Sequence, residues 1–312
     1  MKNNNHKENK KKAKVKDSNE KSLFSLIISY IGKIGLFTVF LFIFGFLIAP
    51  HAFNVDLEIS RYNIKTSKKL PQNLKIILIT DLHNGYYGEK QKELVKTIYK
   101  ENPDLIFLVG NIVDEKIPVA GTIDLLENIY KKYKIYYVTG NSEYKSKRIK
   151  EIKDTMLAYG VKILEGTTDK FTIDNSKDYI YISGIDDPTN PHTKSLLQLK
   201  RAYAEIENYD KFKILLAYRP EKIEEYLERD YDLIVSGHGN GGYWRIPYIF
   251  PNGLFAHDQG FFPKYTSRLY THKKKDHLTN HIVSRGLSKK TLAPRIFNRP
   301  ELVIINISSD KK

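Results

Sequence analysis

In the decapeptide Ile76 Ile77 Leu78 Ile79 Thr80 Asp81 Leu82 His83 Asn84 Gly85, four apolar residues, three of them β-branched, run straight into an Asp, a His and a Gly. An unbroken apolar run of this kind suits a strand buried on both faces, and the polar residues behind it mark the strand's end. The pattern recurs. Leu105 to Val109 leads into Gly110 and Asn111, Ile135 to Val138 into Gly140 and Asn141, Ile214 to Ala217 into Tyr218 and Arg219, and Leu233 to Val235 into Gly237 and His238. Ligands of open α/β sheets gather outside the carboxyl ends of the strands, so five such endings point to one shared site.

The intervening segments carry helical spacing. Glu89 to Lys100 presents Leu94, Val95 and Ile98 on one side and is stopped by Asn102 Pro103. Ile123–Tyr133, residues 147–159, Leu196–Glu207 and Pro220–Glu228 are expected as further helices, the last opening on proline. Further strands are expected at Val161–Leu164, Tyr179–Ile182 and Leu302–Ile307, with an aromatic, turn-rich stretch from Tyr243 to Tyr270. Alternating strands and helices followed by late strands predict two sheets packed face to face and covered by helices.

Ahead of this body, Met1 to Lys21 holds eight Lys against Glu8, Asp17 and Glu20 and almost no apolar residue, which predicts a disordered basic tail. Residues 22–50 read as a transmembrane anchor: from Ile34 to Ala49 no charge appears, and with the preceding turns the stretch exceeds the ~20 residues a spanning helix needs. It is too long for the ~7–15-residue apolar core of a cleaved signal, and Ala49 Pro50 His51 Ala52 is a poor cleavage site. The Lys-rich side is expected to stay cytoplasmic, placing the large domain outside. Residues 51–73 read as a connector and 74–312 as the domain. The chain has no Cys, which removes disulfides, thiolate zinc sites and cysteine nucleophiles. A net charge of +15 favours anionic partners such as phosphorylated compounds or lipid headgroups. Nucleic acid is not expected, since no recognition module is visible.

The blocks Thr80 Asp81 Leu82 His83, Val109 Gly110 Asn111, Gly140 Asn141 Ser142 Glu143, Ala217 Tyr218 Arg219 and Ser236 Gly237 His238 Gly239 Asn240 Gly241 Gly242 resemble, in order and spacing, those of the calcineurin-like metallophosphoesterases, in particular a membrane-anchored bacterial branch. The resemblance implies a four-layer α/β/β/α sandwich of two mixed sheets. It also implies two metal ions bound by Asp, His, a bridging Asp, Asn and further His, with a separate His protonating the leaving group. Asp81, His83, Asn141 and His238 match that pattern. Asn111 stands at the bridging Asp, Ser142 at the catalytic His, Tyr218 and Asn240 at ligand His positions, and Tyr243 at a usual Gln.

Holding two dications side by side is electrostatically costly, and the family offsets this with a carboxylate touching both. Asn111 brings a carbonyl oxygen without charge, and a phenol must lose a proton of pKa ~10 before it binds a divalent ion well. Ser142 has no pKa suited to general acid work. The expectation is a vestigial metal set of Asp81, His83, Asn111, Asn141, His238 and Asn240, holding no metal or one weakly bound Mn, Fe or Zn, and no efficient hydrolysis. Arg219, Arg245 and the Gly241 Gly242 backbone are the candidates for holding an anionic group. The expected role is a binding or regulatory pseudoenzyme for a phosphate-bearing lipid, envelope component or protein. The alternative is a divalent-metal-dependent phosphoesterase of phospholipid or envelope esters, with two metals and a site rebuilt through Asp114, Asp186 or His257.

Overall fold

A computed structural model describes residues 2–115, 119–173, 176–189, 194–274, 277–289, 291 and 293–310, with side chains from residue 23 onward. The chain divides into two units, Met1–Ala52 and Phe53–Lys312.

The first unit is one helix, α1 (Lys2–Ala52). Its apolar part, Leu23–Ala52, is 30 residues long and contains an 18-residue window with a mean hydropathy of 2.3, none of it buried inside the protein. At 1.5 Å per residue that is about 45 Å, enough to cross a ~30 Å hydrocarbon core. Residues 2–21, whose composition predicts disorder, continue the same helix; extending an existing helix avoids the nucleation cost that an isolated polar segment would meet.

In chain order the second unit lays down β1 (Glu58–Thr66), β2 (Leu74–Ile79), α2 (Lys92–Glu101), β3 (Leu105–Val109), α3 (Ala120–Ile129), β4 (Lys134–Val138), α4 (Asn141–Lys145) and α5 (Ile149–Ala158). There follow β5 (Lys162–Ile163), β6 (Thr167–Phe171), β7 (Ile180–Ile185), α6 (Ser195–Ala204), β8 (Lys213–Ala217), α7 (Ile223–Tyr226) and β9 (Leu233–Ser236). The chain closes with β10 (Phe255–Ala256), β11 (Gly260–Phe261), β12 (Arg268–Lys274), β13 (His277–Val283) and β14 (Glu301–Ser309). One six-stranded sheet has the order β1-β14-β2-β3-β4-β5, the other β12-β13-β9-β8-β7-β6, and both are mixed.

Period-two alternation decides which sheet face each side chain takes. Ile76, Leu78, Phe107, Val109 and Tyr136 point toward Ile182, Ile214, Leu216 and Val235 of the other sheet and form the core between the sheets. Their neighbours Ile77, Ile79, Ile106 and Leu108 face outward against Leu94, Ile98, Leu125 and Ile152 of α2, α3 and α5. Leu215 and Ile234 do the same against Leu199, Tyr203 and Ile223 of α6 and α7. This is the expected four-layer sandwich. Phe107 is fully buried, and its truncation to Ala is worth about 3–5 kcal/mol.

The domain begins earlier than expected. Residues 58–66, read as connector, form β1, which runs parallel to β14 at the sheet's edge. Only Ile64 of its nine residues is buried, so the segment lacks the apolar run that reveals a central strand.

Candidate functional site

The ends of β2, β3, β4, β8 and β9 converge on one side of the sandwich, around a cavity of about 500 Å³. Asp81, His83, Asn111, His238 and Asn240 all have φ between 47° and 64°, a left-handed conformation that non-glycine residues rarely adopt. Crosswise backbone bonds hold these turns: Asp81 N–H donates to Gly110 O (3.0 Å), His83 N–H to Asn111 O (2.9 Å) and Gly237 N–H to Tyr218 O (3.1 Å). Such strained backbone persists where surrounding structure over-determines it, and it concentrates at functional sites.

Glu143 ties the β3 and β4 ends together. Its fully buried carboxylate accepts from the backbone N–H groups of Asn111, Ile112, Val113 and Gly140, at 2.8–3.1 Å. Burial pushes its pKa up, against the lowering effect of those amides. The side chain of Asn111 is fixed by the same loop. Its Oδ1 accepts the Ser142 N–H at 2.9 Å, which orients the amide so that Nδ2 donates to Asn141 Oδ1 at 3.2 Å. An N–H group therefore faces the oxygen that Asn141 would offer a metal.

Asp81 is closed in a similar way. The Tyr218 hydroxyl donates to its Oδ1 at 2.5 Å and the His238 backbone N–H to its Oδ2 at 3.2 Å. Burial, followed by the Asp81 charge, raises the Tyr218 pKa well above that of a free phenol, so the proton stays on the ring oxygen. Gly110 makes this possible: a Cβ there would lie 2.2 Å from the Tyr218 ring, which packs directly on the glycine.

At the other end of the cavity, Arg219 sits 11% exposed among carboxylates. Its Nε donates to Asp187 Oδ2 at 2.6 Å, its Nη2 to Asp187 Oδ1 at 3.3 Å and Thr189 Oγ1 at 2.9 Å, and its Nη1 to Asp258. Burial opposes its charge, but the Asp187 hydrogen bond and charge outweigh it and raise the pKa above the usual guanidinium value. His238 Nε2 lies 2.8 Å from Asp258 Oδ2 and 3.0 Å from Arg219 Nη1. The His238 hydrogen bond and the Arg219 charge hold Asp258 well below the usual carboxylate range. Ligand-type atoms of Glu221, His238 and Asp258 come within 4.8 Å of one another. The positive charge among them is already supplied by Arg219, whose Nη1 is also 3.6 Å from Glu221.

Two ligand-type atoms remain open. Asn240 donates through Nδ2 to His238 O, while its buried Oδ1 has no hydrogen-bond partner. His83 engages Asp114 through Nδ1 at 3.0 Å, and no hydrogen bond involves its Nε2 among the described residues. Burial favours the neutral His83 ring, but the Asp114 bond and the Asp81 and Asp114 charges outweigh it and raise the pKa.

Of the expected ligand positions, His83, Asn111, Asn141, His238 and Asn240 line the cavity with Ser142 and Arg219, while Asp81 is buried against Tyr218 and the His238 backbone and is not in the lining. Other candidates do not join them. Arg245 is absent from the lining; its backbone N–H bonds Ile296 O, and burial followed by the Arg285 charge lowers its pKa. Gly241 and Gly242 are required by their turn: at positive φ, a Cβ would lie 2.2 Å from Asn298 Oδ1 and 1.9 Å from Asn252 O respectively. Asp186 turns to Thr139 and Gln198, and its neighbour Asp187 takes the arginine. Asp114 and His257 line the cavity, together with Asp258, which sequence reasoning missed.

A profile of the calcineurin-like phosphoesterases matches residues 74–240, more than half of the chain, and the chain belongs to that family. It is 27% identical over 299 residues to an uncharacterized metallophosphoesterase of Campylobacter jejuni, covering 92% of this chain and 72% of the relative. A Danio rerio transmembrane protein with a metallophosphoesterase domain is 24% identical, over 60% of this chain and 44% of its own length. Among solved structures, that of TT1561 from Thermus thermophilus covers 70% of this chain and 92% of its own, at 10% identity and a TM-score of 0.44.

Proposed function

We propose that this chain is a membrane-anchored phosphoesterase relative that has given up dinuclear hydrolysis and binds a phosphate-bearing lipid, envelope component or protein in the old cleft. The observation that carries the reading is the Tyr218 hydroxyl on Asp81 Oδ1: a protonated phenol occupies the oxygen that a first metal would need. Asn111 adds a second N–H where a bridging carboxylate would stand, and Arg219 fills the acidic pocket around His238. These residues do not fit a pair of dications. From Lys145, Arg219 and His83 in its lining, set against the carboxylates of Asp114 and Asp258, which pair with His83 and Arg219, we read the cleft as taking an anion.

A narrower second reading keeps one weakly bound divalent ion, since Asn240 Oδ1 and His83 Nε2 remain unengaged. A rebuilt phosphoesterase is the competing alternative. Full-length protein supplied with Mn²⁺ or Zn²⁺ and a generic phosphodiester or phosphomonoester is expected to show no metal-dependent turnover, while inorganic phosphate still raises its melting temperature in the presence of EDTA. Robust, chelator-sensitive turnover would establish the alternative instead. For topology, we place the Lys-rich end in the cytoplasm and the domain outside. The Cys-free chain allows a direct check: Lys200→Cys, at an exposed position on α6, is expected to react with an impermeant maleimide in intact cells. Labelling only after lysis would reverse the orientation.

A further inference from the structure

The aromatic stretch from Tyr243 to Phe262 is only partly core: Tyr243 and Ala256 are buried, and most of its other large side chains are not. Tyr243 N–H donates to Phe255 O, Leu254 N–H to Tyr243 O and Phe262 N–H to Leu254 O, while Phe255 pairs with Phe261 across β10 and β11. The three segments therefore form one small flap. Its outer side chains face solvent: Ile249 is 67% exposed, Phe261 69%, Phe262 68%, and Tyr248 and Trp244 are exposed as well. Several large apolar and aromatic side chains exposed on one small flap mark a candidate interaction site. Exposed Lys264 and Arg268 border it.

The position of the flap says what covers it. Arg245 N–H donates to Ile296 O, Glu58 N–H to Pro300 O, and Arg299 Nε to Asp56 O at 3.1 Å. Four residues from Ile296 to Pro300 span at most ~14 Å, so the base of the flap lies near the point where the chain enters the domain. The entering segment, residues 53–57, spans at most ~18 Å from the end of the apolar helix. The base of the flap and the tether are thus neighbours on the domain. Tyr and Trp with flanking Lys and Arg are the side chains that favour the bilayer interface, where rings meet headgroups and cations meet lipid phosphates.

From this placement we infer that the flap seats on the surface of the bilayer that holds the chain's own apolar helix, with anionic lipid as its occupant. The turn joining β10 to β11 carries His257 and Asp258, both lining the cavity, so a seated flap brings the cavity mouth to the headgroups. That last consequence rests on the cleft being a phosphate-binding site; the membrane contact itself does not.

Trp244 is the single Trp of the chain, which makes its fluorescence specific to the flap. Full-length protein in nanodiscs containing phosphatidylglycerol is expected to show Trp244 emission quenched by lipids brominated near the headgroup. Protection from aqueous iodide should be roughly threefold or more relative to detergent, and Phe261→Ser/Phe262→Ser should cut both effects while leaving the circular dichroism unchanged. Equal iodide access in nanodiscs and detergent, without lipid quenching, would overturn the inference. Iodide protection without lipid quenching would also overturn it, assigning the face to a second copy or another protein. Neither measurement involves a cleft ligand, so failure here is distinct from failure of the phosphate-binding reading.

Discussion

On the wall of the cleft built by β2, β3 and β4, a neutral amide network links Asn111 to Asn141 and Ser142, beside the His83–Asp114 pair and the Asp81 carboxylate. On the wall built by β8, β9 and the β10–β11 turn, they are held in ion pairs, with Arg219 between Asp187 and Asp258 and His238 on Asp258. In a dinuclear phosphoesterase both walls must present lone pairs to cations. Here Asn111 and Asn141 engage each other and Arg219 supplies a fixed cation, while His83 Nε2 and Asn240 Oδ1 stay open. The contrast teaches that substitutions scattered through the sequence meet in one cleft, and the proposed role is that together they exchange a preference for metal ions for one for anions.

The largest effect is expected from restoring the first preference. Asn111→Asp, Ser142→His, Tyr218→His and Asn240→His combined should raise bound Mn²⁺ or Zn²⁺ toward two ions per chain by elemental analysis; if uptake is unchanged, the walls have diverged beyond their side chains. Next comes the charged wall. Arg219→Ala leaves the fully buried Asp187 carboxylate unpaired and should cost roughly 3 kcal/mol in urea unfolding, with loss of phosphate binding. A loss below about 0.5 kcal/mol would make Arg219 a surface charge.

Tyr218→Phe removes one hydrogen bond to a buried carboxylate and should cost about 1.5–3 kcal/mol while admitting one divalent ion at Asp81. Stability loss without any metal uptake would separate the phenol's structural role from its exclusion of metal. The smallest effect concerns the sheet beneath the charged wall. His281 is fully buried, and burial followed by the nearby His272 charge lowers its pKa to about 3. Between the unfolded value of ~6.5 and that point the unfolded chain binds a proton that the native chain does not, so stability present above ~6.5 is lost as pH falls, by up to ~1.4 kcal/mol per unit. His281→Phe should flatten this slope in urea titrations at pH 7 and pH 5. An unchanged slope would mean that His281 is protonated in the fold, extending the charged wall below the cleft.

Much of the site was legible because strand ends announce themselves. Asp81, Asn111, Asn141 and His238 each follow an unbroken apolar run, and parallel strands bring such ends together. What stayed hidden lacked that grammar. Asp258 sits in the turn of a hairpin with two-residue strands, too short to show any period. Asp186 and Asp187 follow β7 side by side, and only the three-dimensional turn decides which one meets Arg219. Glu143 belongs to a block whose resemblance was plain, yet its task of gathering four backbone amides depends on loops far apart in sequence. Composition could not divide the flap's aromatic residues: Tyr243 is buried, while Trp244, Phe261 and Phe262 face outward.

Metal content tests the cleft most directly. Full-length protein incubated with excess Mn²⁺ and Zn²⁺, then dialysed and analysed for metals, is expected to retain fewer than one ion per chain; two firmly retained ions per chain would contradict the proposed loss of dinuclear hydrolysis.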